Sequence, residues 1–397
     1  MTACAWSRVA CVLALPLLAS ACSLDSSVES EEALASSAQQ IGANPLGIKT
    51  ETICFTAHNP GDPVAIPLTG TRFSLRSFAA QRPEDRVILL LHGAVETREI
   101  FDGGKAGIDV DGSFARSLAK QGYVVVTVDR AGYGDSPYVR PPGFGFRLTF
   151  NSYVEMTHEI IAQLHAGTYT VKTGDSCGAG PEAGVASQSV ILGGHSIGGG
   201  EVMNYATRYH DIDGMISFGW TNTGAASIPT GFFLNWIVPQ FIQGNDYVTF
   251  FPPGPGDVSS DCVLGLFSQP LAATAYDPAV VNLECANENL GTSPSGELAG
   301  TNALRPANLA ALPGVGPTPA LLVYADLDVM VVSANNPAGD PDHAGLEIAA
   351  WQENCNCDVS SYILPGSGHA MFFPETMPEL ADAVVSWLAG HGFEPRS

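Results

Sequence analysis

Short, unbroken apolar runs alternate along this chain with segments whose apolar residues recur every three or four positions. After two strand-like stretches, TICFTAH and FSLRSFAA, comes RVILLLHGA, whose apolar stretch leaves no face for water and reads as a strand buried on both sides. SFARSLAKQGY then reads as a helix capped by Ser113 and ended by Gly122. YVVVTVDRAG repeats the buried-strand pattern, NSYVEMTHEIIAQLHAG the helical one, and QSVILGGH the strand again. With right-handed crossovers, this β-α-β-α-β order predicts an α/β fold with a mostly parallel sheet flanked by helices. Such sheets bind ligands beyond the carboxyl ends of their strands, so the chemistry is expected in the turns that follow them.

The alternation continues through GMISFGW, stops, and resumes at PALLVYADLD, followed by a helix near HAGLEIAAWQEN, the strand VSSYILPGSGH and a closing helix PELADAVVSWLAG. The interruption, residues 225–318, is too long for an ordinary loop and is rich in proline, glycine and aromatics. We read it as a cap or lid set into a core formed by residues 49–224 and 319–397. Most of its aromatics, Phe232, Phe233, Trp236, Phe241, Tyr247, Phe250 and Phe251, are expected to pack as a small core of its own, with a few lining a pocket.

Composition narrows the function classes. The 17 basic and 40 acidic residues give a formal charge of −23, which repels nucleic acid and anionic membrane surfaces. At the N-terminus, RVACVLALPLLASAC has a basic residue, an apolar stretch and small residues at its end, the pattern of a secretory signal over residues 1–21. Cys22 follows Leu18-Ala19-Ser20-Ala21, which resembles a bacterial lipobox with alanine in place of leucine at the third position before the cysteine. Residues 22–48, polar and serine-rich, read as a flexible tether. Lipidation of Cys22 would attach the domain to a membrane of the bacterial envelope, whereas ordinary cleavage would release it as a secreted protein.

Of nine cysteines, removal of Cys4 and Cys11 with the signal and lipidation of Cys22 would leave Cys54, Cys177, Cys262, Cys285, Cys355 and Cys357. An even number in an exported protein suggests disulfides, and Cys262 with Cys285 is the preferred pair because both lie in one segment. Cys355-Asn356-Cys357 lacks the spacing and the second ligand pair of a zinc site.

The candidate chemistry begins at Gly194-His195-Ser196-Ile197-Gly198, which fits the G-x-S-x-G elbow. A serine hydroxyl is a weak nucleophile at neutral pH, so acyl transfer needs a histidine base and a carboxylate that fixes the histidine's tautomer. In the chain order Ser, Asp, His, the Asp326 and Asp328 of YADLD follow one strand and the His369 of GSGHAMF follows the last.

Together with these residues, His92-Gly93 in LLLHGA and Asp129, Gly132, Gly134 and Ser136 in VDRAGYGDS resemble, in order, the motifs of the α/β-hydrolase superfamily, as a serine esterase- or lipase-like member. The resemblance covers residues 50–224 and 318–392, and implies an α/β-hydrolase fold with the cap between strands 6 and 7. It implies Ser196 as nucleophile, His369 as base and Asp328 as acid, with Asp326 the rival. An oxyanion hole would use the backbone N–H groups of Ala94 and Ile197, with Gly93 or Val95 as alternatives to Ala94. His92 is assigned to the oxyanion turn, His195 to the variable elbow position, and Asp129 to a structural role. Serine at the elbow sets aside epoxide hydrolase, haloalkane dehalogenase and dienelactone hydrolase chemistry.

The expected function is hydrolysis of a small-molecule carboxylic ester through an acyl-enzyme, without cofactor or metal. An amidase or peptidase with the same triad, and a catalytically silent surface-binding module on the same fold, are the alternatives. Substrate identity, oligomeric state and the remaining disulfide pairs are not legible.

Overall fold

In the computed structural model, the apolar run Val87–Leu91 lies between two other fully buried strands and every one of its side chains is buried. The structure describes residues 47–395 except 76–79, 84, 103–112, 137–144, 173–176, 178–181, 224–237, 244–246, 250–291, 329–341, 356 and 374. The expected signal, Cys22 and all of the expected tether except Gly47 and Ile48 therefore lie outside the described residues, and Ile48, read as tether, is buried in the core. Cys262 and Cys285 and the cap aromatics Phe232, Phe233, Trp236, Phe250 and Phe251 also lie outside the described residues, while Phe241 and Tyr247 are described by their backbone alone.

The chain opens with β1 (Lys49–His58), β2 (Ala65–Ser74), β3 (Arg86–Leu91), α1 (Phe114–Lys120), β4 (Val124–Val128) and α2 (Phe150–Ala166). Next come β5 (Thr170–Lys172), β6 (Glu182–Ala183), β7 (Ser189–His195), α3 (Ile197–Ala206) and β8 (Gly214–Phe218). After α4 (Val238–Ile242), β9 (Tyr247–Thr249) and β10 (Thr292–Pro294), the chain closes with α5 (Ser295–Ala311), β11 (Ala320–Ala325), α6 (Asp342–Asn354), β12 (Val359–Leu364) and α7 (Met377–Gly390).

The main sheet has ten strands in the order β12-β11-β8-β7-β3-β4-β2-β1-β5-β6. From β12 to β4 all neighbours are parallel, and from β4 to β6 all are antiparallel. The expected mostly parallel sheet is thus found, with a meander added at one edge. Local signals set the flanking helices: α1 begins at Ser113, whose hydroxyl accepts the Arg116 N–H, and α2 begins with a reciprocal Thr149–Ser152 capping box and ends at Gly167 in the left-handed region. Among the described residues no helix is long and apolar enough to cross a membrane.

The strand expected over FSLRSFAA is displaced: β2 runs from Ala65 to Ser74. Pro67 and Gly70 disguise its first half. Pro67 is tolerated because β4 pairs only with Gly70–Phe73, so the stretch around Pro67 has β1 alone beside it. The two short strands β5 and β6 carry no readable pattern at all.

Of the expected cap, residues 225–318, the described parts include the antiparallel pair β9–β10 and the helix α5. Helix α5 is fastened to the helices on the sheet. Asn308 donates to the Gly200 carbonyl at 3.1 Å and accepts from Asn204 at 2.9 Å, and Gly300 lies so close to Phe150 that a Cβ there would be 3.2 Å from its ring.

A disulfide joins Cys54 of β1 to Cys177, 123 residues later, and a second joins Cys355 to Cys357. Closing so long a loop restricts the unfolded chain most. Replacing both Cys54 and Cys177 by serine is expected to lower the unfolding free energy by about 2–5 kcal/mol, measured as a lower urea midpoint in matched oxidising buffer.

Candidate active site

Six turns at the carboxyl edge of the parallel strands converge. Ser196 occupies the sharp turn between β7 and α3 at φ 52°, ψ −123°, a conformation that costs a non-glycine residue about 1–3 kcal/mol. Its N–H donates to the Phe218 carbonyl at the end of β8 (2.7 Å), which anchors the elbow to the next strand. The flanking glycines permit this approach. A Cβ on Gly198 would stand 2.6 Å from the backbone oxygens of both Leu91 and His92, and one on Gly194 would strike the Gly198 carbonyl. Because backbone cannot swing aside, Gly198→Ala is expected to cost about 3 kcal/mol, read from chemical denaturation.

His369, in the loop after β12, stands beside the elbow, its ring centroid 4.6 Å from that of His195. Its Nδ1 lies 2.7 Å from Asp328 Oδ2, and both side chains are almost wholly buried. Gly219, next to the Phe218 that anchors Ser196, lies so near that a Cβ there would be 3.2 Å from His369 Cε1. Phe372, three residues beyond His369, packs its ring against Phe101, Phe114, Phe218 and His195, pinning the loop from beneath. The rival Asp326 does other work: its Oδ1 accepts the Ser367 N–H at 3.2 Å and shapes the loop carrying His369.

Burial opposes a charge on His369, but attraction to Asp328, the hydrogen bond to it and the more distant Glu96 together raise its pKa above the ordinary 6.5. The imidazole is thus predisposed to accept a proton, with Asp328 holding the Nδ1 proton in place.

Beside Ser196 lies the turn after β3. Gly93 approaches so closely that a Cβ on it would be 2.8 Å from Ser196 Cβ. The Gly93 N–H already donates to Glu96 Oε2 at 2.6 Å, which removes Gly93 as an oxyanion donor. Ile197 is the first residue of α3, where an N–H has no partner within the helix. Among the described residues no hydrogen bond involves the Ala94 N–H. Val95 is at φ 57°, a second strained non-glycine residue and a rare one for a β-branched side chain. Both strained residues therefore sit on the two turns from which Ser196, Ala94 and Ile197 project.

His92 and His195, both set aside as bases, are fully buried and hydrogen-bonded at both ring nitrogens. His92 donates from Nδ1 to the Gly93 carbonyl (2.8 Å) and accepts the Arg130 N–H at Nε2 (3.1 Å). Burial, then the charge of Arg130, drives its pKa well below the ordinary value, so it is neutral. His195 lies 2.9 Å from Glu96 Oε2 through Nδ1 and 2.8 Å from the His369 carbonyl through Nε2. Burial works to raise the Glu96 pKa, but His195, His369 and the Gly93 N–H outweigh it and the carboxyl is held below its usual range. One carboxylate thus ties together the Gly93 turn, the elbow and, through His195, the His369 loop. Asp129 is also structural: it accepts the N–H groups of Arg98 and Asp135, each at 2.8 Å, and pairs with the Arg98 guanidinium.

Sequence reasoning missed Glu96 and a buried cluster behind the turn. Arg130 pairs with Glu297 of α5 and with Glu201 of α3, whose carboxyl burial pushes up to about 7 against the pull of Arg130. Only proximity in HGAVE could have suggested Glu96, and nothing local could have paired Arg130 with Glu297, 167 residues away.

Residues 88–383 match the family model described as Alpha/beta hydrolase family, a span of most of the chain. The chain belongs to the alpha/beta hydrolase family. No match was found among curated proteins. Solved structures of the same fold include a monoacylglycerol lipase of Paleococcus ferrophilus (18% identity, TM-score 0.51, covering 82% of this chain and 99% of that one). A membrane phospholipase A described as a bacterial virulence factor is similar at 16% identity and TM-score 0.52, covering 91% of this chain and 92% of that one. The epoxide hydrolase VrEH1 of Vigna radiata is similar at 15% identity and TM-score 0.50, covering 88% and 99%. At these identities the likeness speaks for the fold alone, and family membership supports a hydrolase. In this alpha/beta hydrolase the described residues include no group of three His, Cys, Asp or Glu side chains placed to hold a metal ion.

Proposed function

We propose that this hydrolase cleaves carboxylic esters through an acyl-enzyme on Ser196, as an exported protein held at the envelope by lipidated Cys22 or released from it. The observation that carries the reading is the buried 2.7 Å pairing of His369 Nδ1 with Asp328, set against an elbow whose serine is held in a strained turn. Serine, not aspartate, at the elbow favours acyl transfer over epoxide opening.

Ser196 Oγ attacks the ester carbonyl while its proton passes to His369 Nε2, and Asp328 balances the imidazolium that forms. The carbonyl oxygen becomes an oxyanion, received by the N–H groups of Ala94 and Ile197 at the positive end of α3. Collapse expels the alcohol, which takes the proton from His369. Water then gives its proton to His369 and its oxygen to the acyl carbon, and a second collapse releases the acid and restores Ser196. The aromatic, proline-rich composition of residues 225–318 supports a neutral or apolar acyl substrate.

A fluorophosphonate probe is expected to label the mature protein at Ser196, and matched aryl esters to be hydrolysed far faster than the corresponding anilides. Faster anilide cleavage would assign an amidase instead. Absence of both labelling and turnover would sink the serine-hydrolase reading. Mass spectrometry of the mature N-terminus tests the anchor: an unmodified Cys22, or a different first residue, overturns it.

A further inference from the structure

We infer that Arg130 is a positioning residue for the oxyanion hole: it fixes the peptide between Gly93 and Ala94 from the carbonyl side and so aims the Ala94 N–H at the reacting carbonyl. The inference rests on the serine-hydrolase reading above. Its geometry is as follows. Arg130 Nη2 donates to the Gly93 carbonyl at 2.8 Å. In a trans peptide the C=O and N–H bonds lie in one plane and point in opposite directions, so whatever fixes the Gly93 oxygen also fixes the direction of the Ala94 N–H. His92 Nδ1 donates to the same oxygen at 2.8 Å, and Glu96 holds the Gly93 N–H on the other side of the residue. The turn, strained at Val95, is thereby held from both ends.

The guanidinium is itself immobilised far more thoroughly than a simple surface link requires. Arg130 is 3% exposed, its guanidinium carbon lies 4.8 Å from the ring centroids of both Tyr133 and Tyr153, and it pairs with Glu297, to which Tyr133 also donates. Glu201, which accepts from Thr157 at 2.6 Å, is the second carboxylate, 3.4 Å from Nη1. One arm of the fork faces these carboxylates and the other faces the Gly93 carbonyl. A cation at the carbonyl end of an amide also polarises its N–H, which strengthens that donor where negative charge develops. Lysine has no such fork and cannot serve both sides at once.

The experiment compares wild type with Arg130→Lys and with the double variant Arg130→Gln/Glu297→Gln, which removes the cation together with its closer carboxylate; the remaining Glu201, whose carboxyl burial already pushes up to about 7, then takes a proton and is neutral. Each folded protein is assayed for kcat and KM on an aryl ester. Each is also tested for inhibition by an alkyl trifluoromethyl ketone, whose carbonyl takes up Ser196 Oγ to form a hemiketal oxyanion, and by the carbinol with the same tail, which cannot form one.

In both variants kcat is expected to fall about 10- to 100-fold, less than for deletion of an oxyanion donor outright. Ketone inhibition should weaken by the same factor, while KM and carbinol inhibition stay within about two-fold. Unchanged kcat and ketone inhibition would overturn the inference. So would equal losses for ketone and carbinol, or failure of both variants to fold, since either would place Arg130 in the scaffold alone. If wild type itself is not inhibited by the ketone, the serine-hydrolase reading fails instead.

Discussion

Ser196→Ala is expected to lower kcat for ester hydrolysis by roughly 10⁶-fold, the scale seen when a triad nucleophile is removed, with the residual rate coming from binding and the oxyanion donors. The fold should survive, because Ser196 sits at the end of a turn and makes its structural bond, to the Phe218 carbonyl, through backbone. Alanine keeps the Cβ and hence the strain at φ 52°. Ser196→Gly removes the Cβ and should be equally inactive but more stable than Ser196→Ala by about 1 kcal/mol. Two measurements check this, single-turnover kinetics and urea denaturation of both variants. A glycine variant no more stable than the alanine one would mean that the elbow stores no strain, and an alanine variant retaining a tenth of the activity would remove Ser196 from the chemistry.

The second large effect separates two aspartates that lie two residues apart. Asp328→Asn is expected to reduce kcat about 10⁴-fold, because an amide cannot stabilise imidazolium and permits the wrong tautomer. Asp326→Asn, whose oxygen still accepts the Ser367 N–H, should stay within about three-fold of wild type. Activity requires neutral His369, so the acid limb of the wild-type pH profile should lie above 6.5, and in Asp328→Asn the residual activity should extend to lower pH. Stability moves the other way. A histidine whose folded pKa is raised contributes stability that is fully present below its unfolded value and is lost as pH rises through the folded one. Unfolding measured from pH 5 to 9 should therefore show wild type losing a stabilisation that Asp328→Asn lacks. Equal pH dependence in the two proteins would refute the pairing.

The sheet and its elbow could be read from the chain because their causes are local. Val87–Leu91 is apolar at every position and Val124–Val128 at all but Thr127, the pattern of a short strand covered on both faces. The glycines around Ser196 announce a turn, and their order relative to the other motifs announces which one. What escaped was set by partners distant in sequence. In α5, Gly296, Gly300 and Pro306 weaken the helical signal. Its place is instead fixed by Asn308 and Glu297 meeting groups on other elements. Glu96, Arg130 and Glu201 carried no signal of their own, because a sequence shows a charge but not the counter-charge that permits its burial. Nor could the strand pattern place β2, whose proline is acceptable only because of which strand ends beside it.

Glu347 of α6 has a consequence of another kind. Its carboxylate accepts from the backbone of Asn222 and Thr223, from the side chains of Thr221, Asn222 and Thr223, and from Trp351. Arg130 and Tyr133 grip Glu297 in the same manner. The chain is thus held by a buried carboxylate just before residue 224, through Glu347, and again just after residue 294, through Glu297. Because each carboxylate grips its end of the chain from the buried side, changes of sequence between the two leave both anchor points, and the turns they support, where they are.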